Sequence, residues 1–520
     1  MRLTKLVVLS LVTVVVAILA TPAVSGEGSG LARLGYIYTD EMGNVAVNQE
    51  TFNIYEGGNF SIEDFLYTTD SGLRFRADLR AITLENRNLT LSAAKSKLFS
   101  ISAYGNKYQR IYESAGKDAT KREMLGGRVS VSPVRYVKFF GGFDRTNKSG
   151  ENRLVFDGTT DPVVLTSDYA HRSFDIGAEG FYRGTNLRVE YKTLEFEDET
   201  GALNDREADV VRLSGTSPVP RLKWIVLSGG YNYRQDEVGE NGVELGTNLG
   251  WGAARVYFPR QFTVDYRFVF GRTLHNGTNI ETDNVFNTVA VSKRWNRHGG
   301  VRVGYESRIA DDLIDRSESN GFLFNGWYNY ANRLFVRGSA GIRNEDVVTG
   351  STLLGDEDFT RYQLTVKLAD KRLGDISARY QGRTRTRDDL GTRVDYNGFS
   401  AQLNLSREKY GQLSVSYSYY LGEFENLVDD FEFSDHVLTG MVTPVSYKSV
   451  TVKAGCTFYR SRRDLDIEKF SLNLGVRYDL PRDFGVEARY WAFNYDDFQV
   501  ADDFYSANMV ELDLLKDFSL

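Results

Sequence analysis

Two neighbouring stretches decide the fold: Phe399-Ser400-Ala401-Gln402-Leu403-Asn404-Leu405 and Leu413-Ser414-Val415-Ser416-Tyr417-Ser418-Tyr419. In each, an apolar residue alternates with a small or polar one. An extended strand turns successive side chains to opposite faces, so each stretch has one oily side and one wet side. The rhythm recurs in Phe262-Thr263-Val264-Asp265-Tyr266-Arg267-Phe268, in Tyr362 to Leu368 and in Leu472 to Tyr478. Such segments run from about residue 73 to the C-terminus. Roughly 22 to 24 can be counted, each ~9–12 residues long, the length of a tilted strand crossing a bilayer.

The connectors alternate short and long. Ser132-Pro133-Val134, Arg183-Gly184-Thr185-Asn186, Ser217-Pro218-Val219-Pro220, Phe258-Pro259-Arg260, Asn296-Arg297-His298-Gly299, Thr443-Pro444-Val445 and Leu480-Pro481-Arg482-Asp483 read as tight turns. Residues 146–170, 196–208, 309–319, 344–358 and 424–434 read as long loops, and they are acidic. Proline cannot donate to a central ladder and is driven into turns. Short turns at one end and long loops at the other are the pattern of an outer-membrane barrel. The predicted fold is all-β: a large antiparallel transmembrane β-barrel of about 22–26 strands. Strands in hydrocarbon must close, because an open edge leaves backbone groups unpaired.

The N-terminus sets the compartment. Arg2 and Lys5 precede an apolar run from Leu6 to Leu19, and Ala20 to Gly26 supplies small residues for cleavage. This reads as a secretory signal peptide over residues 1–25. The apolar run is shorter than the ~20 residues a spanning helix needs. Residues 26–70 are less regular and are expected to form an N-terminal periplasmic or plug segment, although Leu31 to Thr39 also suits a first strand. The barrel is expected over residues 71–520, in the outer membrane of a bacterial cell.

Composition narrows the function. Mean hydropathy is −0.37, which a barrel tolerates because half of each strand faces water. A net charge of −7 argues against nucleic acid, which needs a basic face. The single cysteine, Cys456, excludes an internal disulfide and a Cys-x-x-Cys-His haem attachment, so no covalently bound cofactor is expected. Cys456 shares a face with Val452, Ala454 and Phe458 and reads as an outward apolar position. The four histidines His171, His275, His298 and His436 have no Ser or Asp constellation around them, and no metal-ligand spacing or nucleophile elbow is present. A non-enzymatic chain is expected, with no catalytic or metal residues. The polar strand faces carry charges that would cost ~2–4 kcal/mol each against lipid for the basic ones. Arg74, Arg76, Asp78, Arg80, Asp265, Arg267, Lys367, Arg477, Glu487 and Arg489 are therefore the candidate lumen-facing charges.

Leu79 to Ser92, continuing through Lys95-Ser96-Lys97-Leu98-Phe99 to Ala103-Tyr104-Gly105, resembles the opening hairpin of the decahaem-associated outer-membrane barrels of the MtrB/PioB type. Ser132 to Asp144 shares that family's turn-and-strand rhythm. The resemblance implies a barrel that sheathes a multihaem c-type cytochrome in a transmembrane electron conduit, with periplasmic and extracellular cytochromes as partners and haem present only through them. A diffusion porin or substrate-specific channel is the alternative expectation.

Overall fold

The computed structural model describes residues 26–519 apart from 45–53, 112–118, 155–162, 202–204, 240–242, 276–279, 296–297, 312–315, 350–355, 371–373, 388–390, 408–410, 426–429, 444–448 and 500–503. The expected leader, residues 1–25, lies outside these. So do Asn296 and Arg297, Asp312 and Asp315, Asp429, and Pro444 and Val445.

Twenty-six strands form one sheet. The first nine are β1 (Gly26–Gly43), β2 (Gly57–Thr69), β3 (Leu73–Arg80), β4 (Asn88–Lys95), β5 (Phe99–Ile111), β6 (Ala119–Val134), β7 (Val137–Leu154), β8 (Val163–Tyr182) and β9 (Thr185–Asp198). Then follow β10 (Arg206–Val219), β11 (Leu222–Val238), β12 (Val243–Phe258), β13 (Phe262–His275), β14 (Ile280–Trp295), β15 (Gly299–Asp311), β16 (Arg316–Tyr330) and β17 (Leu334–Thr349). The rest are β18 (Glu357–Asp370), β19 (Gly374–Arg387), β20 (Thr392–Arg407), β21 (Gly411–Glu425), β22 (Asp430–Thr443), β23 (Val450–Arg463), β24 (Ile467–Leu480), β25 (Phe484–Asp497) and β26 (Phe504–Ser519).

Each strand pairs antiparallel with the next, and β26 pairs with β1 from Ser29↔Ser519 to Gly43↔Tyr505, which closes the ring. The outer face follows from exposure. Leu34, Tyr36 and Tyr38 on β1 sit beside Val510, Leu512 and Leu514 on β26, all exposed. Phe399 on β20 and Leu474, Val476 and Tyr478 on β24 continue this apolar belt. Burying such a belt in lipid is favourable by ~25 cal/mol per Å2 of apolar surface. The alternate residues of every strand face the lumen. A barrel this wide cannot be filled by its own side chains.

The structure differs from the sequence-based expectation in two places. The described parts of residues 26–70 are β1 and β2, hydrogen-bonded into the wall, rather than a separate periplasmic or plug segment. The wall would remain open without them, and open edges are not viable in hydrocarbon. The β2 ladder is irregular, with a bulge at Asp64 (φ 51°), and this masks its alternation. The strands are also longer than expected. β7 and β8 take up residues 146–154 and 163–170, which read as loop. Their polar residues lie where the ladder continues above the belt into water. The opposite end has tight turns, such as Arg183 (φ 49°) and Gly184 (φ 87°) between β8 and β9. This backbone matches the twist of the flanking strands, and glycine enters it at no steric cost.

Candidate functional site

The inner wall carries two charged regions of different construction. The first lies where the ring closes. Glu487 on β25 stands directly opposite Asp513 on β26. Two carboxylates in that relation repel. Arg33 on β1 resolves the repulsion: its guanidinium donates to Glu487 at 2.7 Å and also to Asp513, and it reaches Glu63 on β2 at 2.9 Å. Arg489 bonds Asp513 at 2.9 Å and Glu511 at 3.1 Å. Asn59 on β2 donates to Glu511 at 2.7 Å. Arg33, Glu487, Glu511 and Asp513 are buried, Arg33 at 7% exposure. A side chain at Gly35, opposite Asp513, would run into that carboxylate. The region is a closed ionic lock on four consecutive strands, β25, β26, β1 and β2, with its charges committed to one another.

The second region spans β15 to β20. Across it runs the register row Gly304–Leu323–Gly341–Arg361–Arg383–Tyr396. Arg361 and Arg383 are direct cross-strand partners on the lumen face. Among the described residues no carboxylate forms an ion pair with either, nor with Arg337 or Arg379. Arg383 lies 5.5 Å above the Tyr396 ring, and Tyr396 stacks on Tyr420 at 5.8 Å. Below this row Asn325, Ser339, Gln363 and Gln381 are successive register partners. Together the two rows, Gly341 excepted, and Arg302 line a recess of about 890 Å3. Toward the loop end, buried Glu357 is shared by Arg343 (3.1 Å), Arg387 (3.1 Å) and Arg385. Even there cations outnumber carboxylates.

The ten charged candidates from the sequence are distributed round the wall rather than gathered at one site. Glu487 and Arg489 belong to the lock, and Arg477 on the adjoining β24 binds Asp517 and, at 2.7 Å, Asp479. Arg74, Arg76, Asp78 and Arg80 share one face of β3, opposite Phe75, Ala77 and Leu79, and Arg80 bonds Asp78 at 2.9 Å. Asp265 takes Arg255 and, at 3.9 Å, Arg302. Arg267 shares the Asp265 face of β13, and Lys367 bonds Asp375 at 3.1 Å. Sequence reasoning missed Arg33, Glu63, Glu511 and Asp513 in the lock, and Arg361 and Arg383 in the recess. A signal for the recess existed: Arg379, Arg383, Arg385 and Arg387 all fall on one parity.

At the loop end Tyr55 donates to the Gln109 carbonyl at 2.8 Å, and burial pushes its phenol above the ordinary value. Burial also pushes Glu85 upward, but the hydrogen bond and charge of Lys107, with Lys121 and Arg87 nearby, outweigh it and hold the carboxyl below its usual range. His436 is outward and bonded to Tyr417 at 2.9 Å. Cys456 is exposed on the belt side.

No family model and no curated protein matches the chain. Its fold is similar to that of the FrpB iron transporter from Neisseria meningitidis, with a TM-score of 0.56 at 10% identity over 95% of this chain and 82% of that one. It is also similar to the ferric enterobactin receptor PfeA from Pseudomonas aeruginosa, with a TM-score of 0.51 at 9% identity over 96% and 82%. At these identities the likeness is one of fold. The chain is a large outer-membrane β-barrel.

These findings correct the expectation of a decahaem-associated sheath. The two solved barrels just named are an iron transporter and a ferric enterobactin receptor, neither a cytochrome conduit nor a diffusion porin. The multihaem cytochrome partners fall with that reading. The physical reason is that Leu-x-Leu alternation around a tight turn is what any membrane hairpin must show, so it does not distinguish one barrel family from another.

Proposed function

We propose that this barrel is an outer-membrane receptor-transporter that takes up a metal-chelate type of solute at the cell surface and passes it through the lumen chemically unchanged. The observation that carries the reading is the recess on β15–β20: convergent arginines and amides held on a rigid wall. Sites for small solutes are concave, with a few placed polar groups, and groups fixed on strands are well positioned. The fold likeness to an iron transporter and a ferric enterobactin receptor supports the class of solute. Transport without chemistry suits a chain whose only cysteine is Cys456 and whose His436 is turned outward toward tyrosines. No covalently bound cofactor belongs to this reading.

The test is binding and uptake. The purified barrel in detergent is titrated with a panel of ferric chelates, and cells lacking it are grown on the same chelates as sole iron source. Saturable binding of at least one chelate, with impaired growth on it, is expected. A barrel that binds none, in cells whose iron uptake is unchanged, overturns the reading.

A further inference from the structure

We infer that the recess centred on Arg361 and Arg383 is the ligand site, and that it selects solutes carrying at least two carboxylate or phosphate groups. The inference rests on the receptor reading for its setting and on the wall geometry for its chemistry. Arg361 and Arg383 face each other across β18 and β19 with no carboxylate between them among the described residues. Like charges directly opposite on one sheet face are destabilising, and a cleft lined by one sign of charge concentrates counter-ions. The same chain relieves the Glu487–Asp513 opposition with Arg33, whereas the Arg361–Arg383 pair has no counter-charge bonded to it among the described residues. An anion entering the recess removes the repulsion and gains two planar donors at once. Guanidinium forks match carboxylate and phosphate bidentately.

The surroundings are arranged for such a guest. Gly341, next to Arg361 in the row, leaves room: a side chain there would press on the Arg361 guanidinium stem. Tyr396 holds Arg383 from one side. Gln363 and Gln381 lie one turn of the alternation below, where their amides can take the hydroxyls or carbonyls of a polydentate ligand. Toward the loops, the Arg343, Arg385 and Arg387 group around Glu357 carries the surplus positive charge outward to where a ligand arrives. Asp265 pairs with Arg255 and with Arg302 at the recess edge, not with Arg361 or Arg383.

The experiment uses the full-length barrel in detergent micelles and four probes: ferric citrate (anionic), ferrichrome (neutral), ferrioxamine B (cationic) and pyrophosphate (anionic, no iron). Ferric citrate and pyrophosphate should bind, and raising NaCl from 50 to 500 mM should weaken both at least tenfold. The double variant R361Q/R383Q should lose at least tenfold affinity for both while keeping its heat-modifiable mobility. The salt titration on the unaltered protein stands even if the variant misfolds. Equal affinity across the three ferric probes, or unchanged binding by the folded double variant, overturns the site and leaves the receptor reading intact. Binding of pyrophosphate without any ferric probe supports the site and removes the chelate reading. Silence from all four removes both.

Discussion

The closing lock and the open recess pose the same electrostatic problem and answer it differently. In the lock, Glu487 and Asp513 stand opposite each other and Arg33 sits between them. In the recess, Arg361 and Arg383 stand opposite each other and no carboxylate among the described residues forms an ion pair with either. The lock joins the first and last strands, which are held together by no turn. Its charges serve cohesion, and their burial makes each partner indispensable to the others. The recess lies in the middle of a run of hairpins whose connections already hold it, so it can carry unneutralised charge. The teaching is that charge pairing follows mechanical need: full where the ring must be sealed, incomplete where a guest can supply the missing partner.

The largest stability effect should come from breaking the lock. Arg33→Ala leaves Glu487 and Asp513 buried and facing each other with Arg489 as their remaining cation, and removing one partner of a buried ion pair costs about 3–5 kcal/mol. The expected result is loss of the heat-modifiable folded band and a lower urea midpoint in lipid vesicles. Adding Glu487→Gln with Asp513→Asn should recover much of the loss. A fully stable Arg33→Ala barrel would mean that the lock does not seal the ring.

Glu357→Gln comes next. It takes the shared carboxylate from Arg385 and Arg387 and leaves Arg343 with Glu345 at 3.7 Å, at a cost of about 1–3 kcal/mol for the unmet partners, read by the same unfolding midpoint. It should also tighten ferric citrate binding, because it adds to the surplus positive charge beside the recess. Weaker anion binding would break the contrast between the two regions.

A smaller effect belongs to the belt, where tyrosine hydroxyls donate to asparagines on the next strand, as Tyr305 does to Asn320 at 2.6 Å. Tyr305→Phe should cost about 0.5–1.5 kcal/mol and leave ligand binding untouched.

The smallest effect, and the one of opposite sign, is Arg361→Gln. Relief of the Arg361–Arg383 repulsion should raise stability by about 0.2–1 kcal/mol. A clear loss of stability would show that Arg361 is a structural cation like Arg33, and the difference between the two regions would vanish.

Much of this was legible in the residues. The alternation at 399–405 and 413–419 set strand type and faces, because side-chain direction has a period of two whatever the neighbours are. The charges of Glu487 and Arg489 were legible as lumen-facing for the same reason. The extent of β7 and β8 was not, since above the belt polarity no longer distinguishes strand from loop. β1 was half legible, since Leu31 to Thr39 suits a first strand although its partner is the far end of the chain; β2 was not, because a bulge at Asp64 breaks the period.

An outer-membrane barrel with an oily belt and a charged lumen therefore follows from local alternation and from the need to pair every backbone group in lipid. Which charges meet is set by the folded ring. Arg33 finds Glu487 and Asp513 across 454 and 480 residues, and Arg361 finds Arg383 through the register of a hairpin. Contacts of that kind depend on closure and register, which no local pattern of side chains specifies.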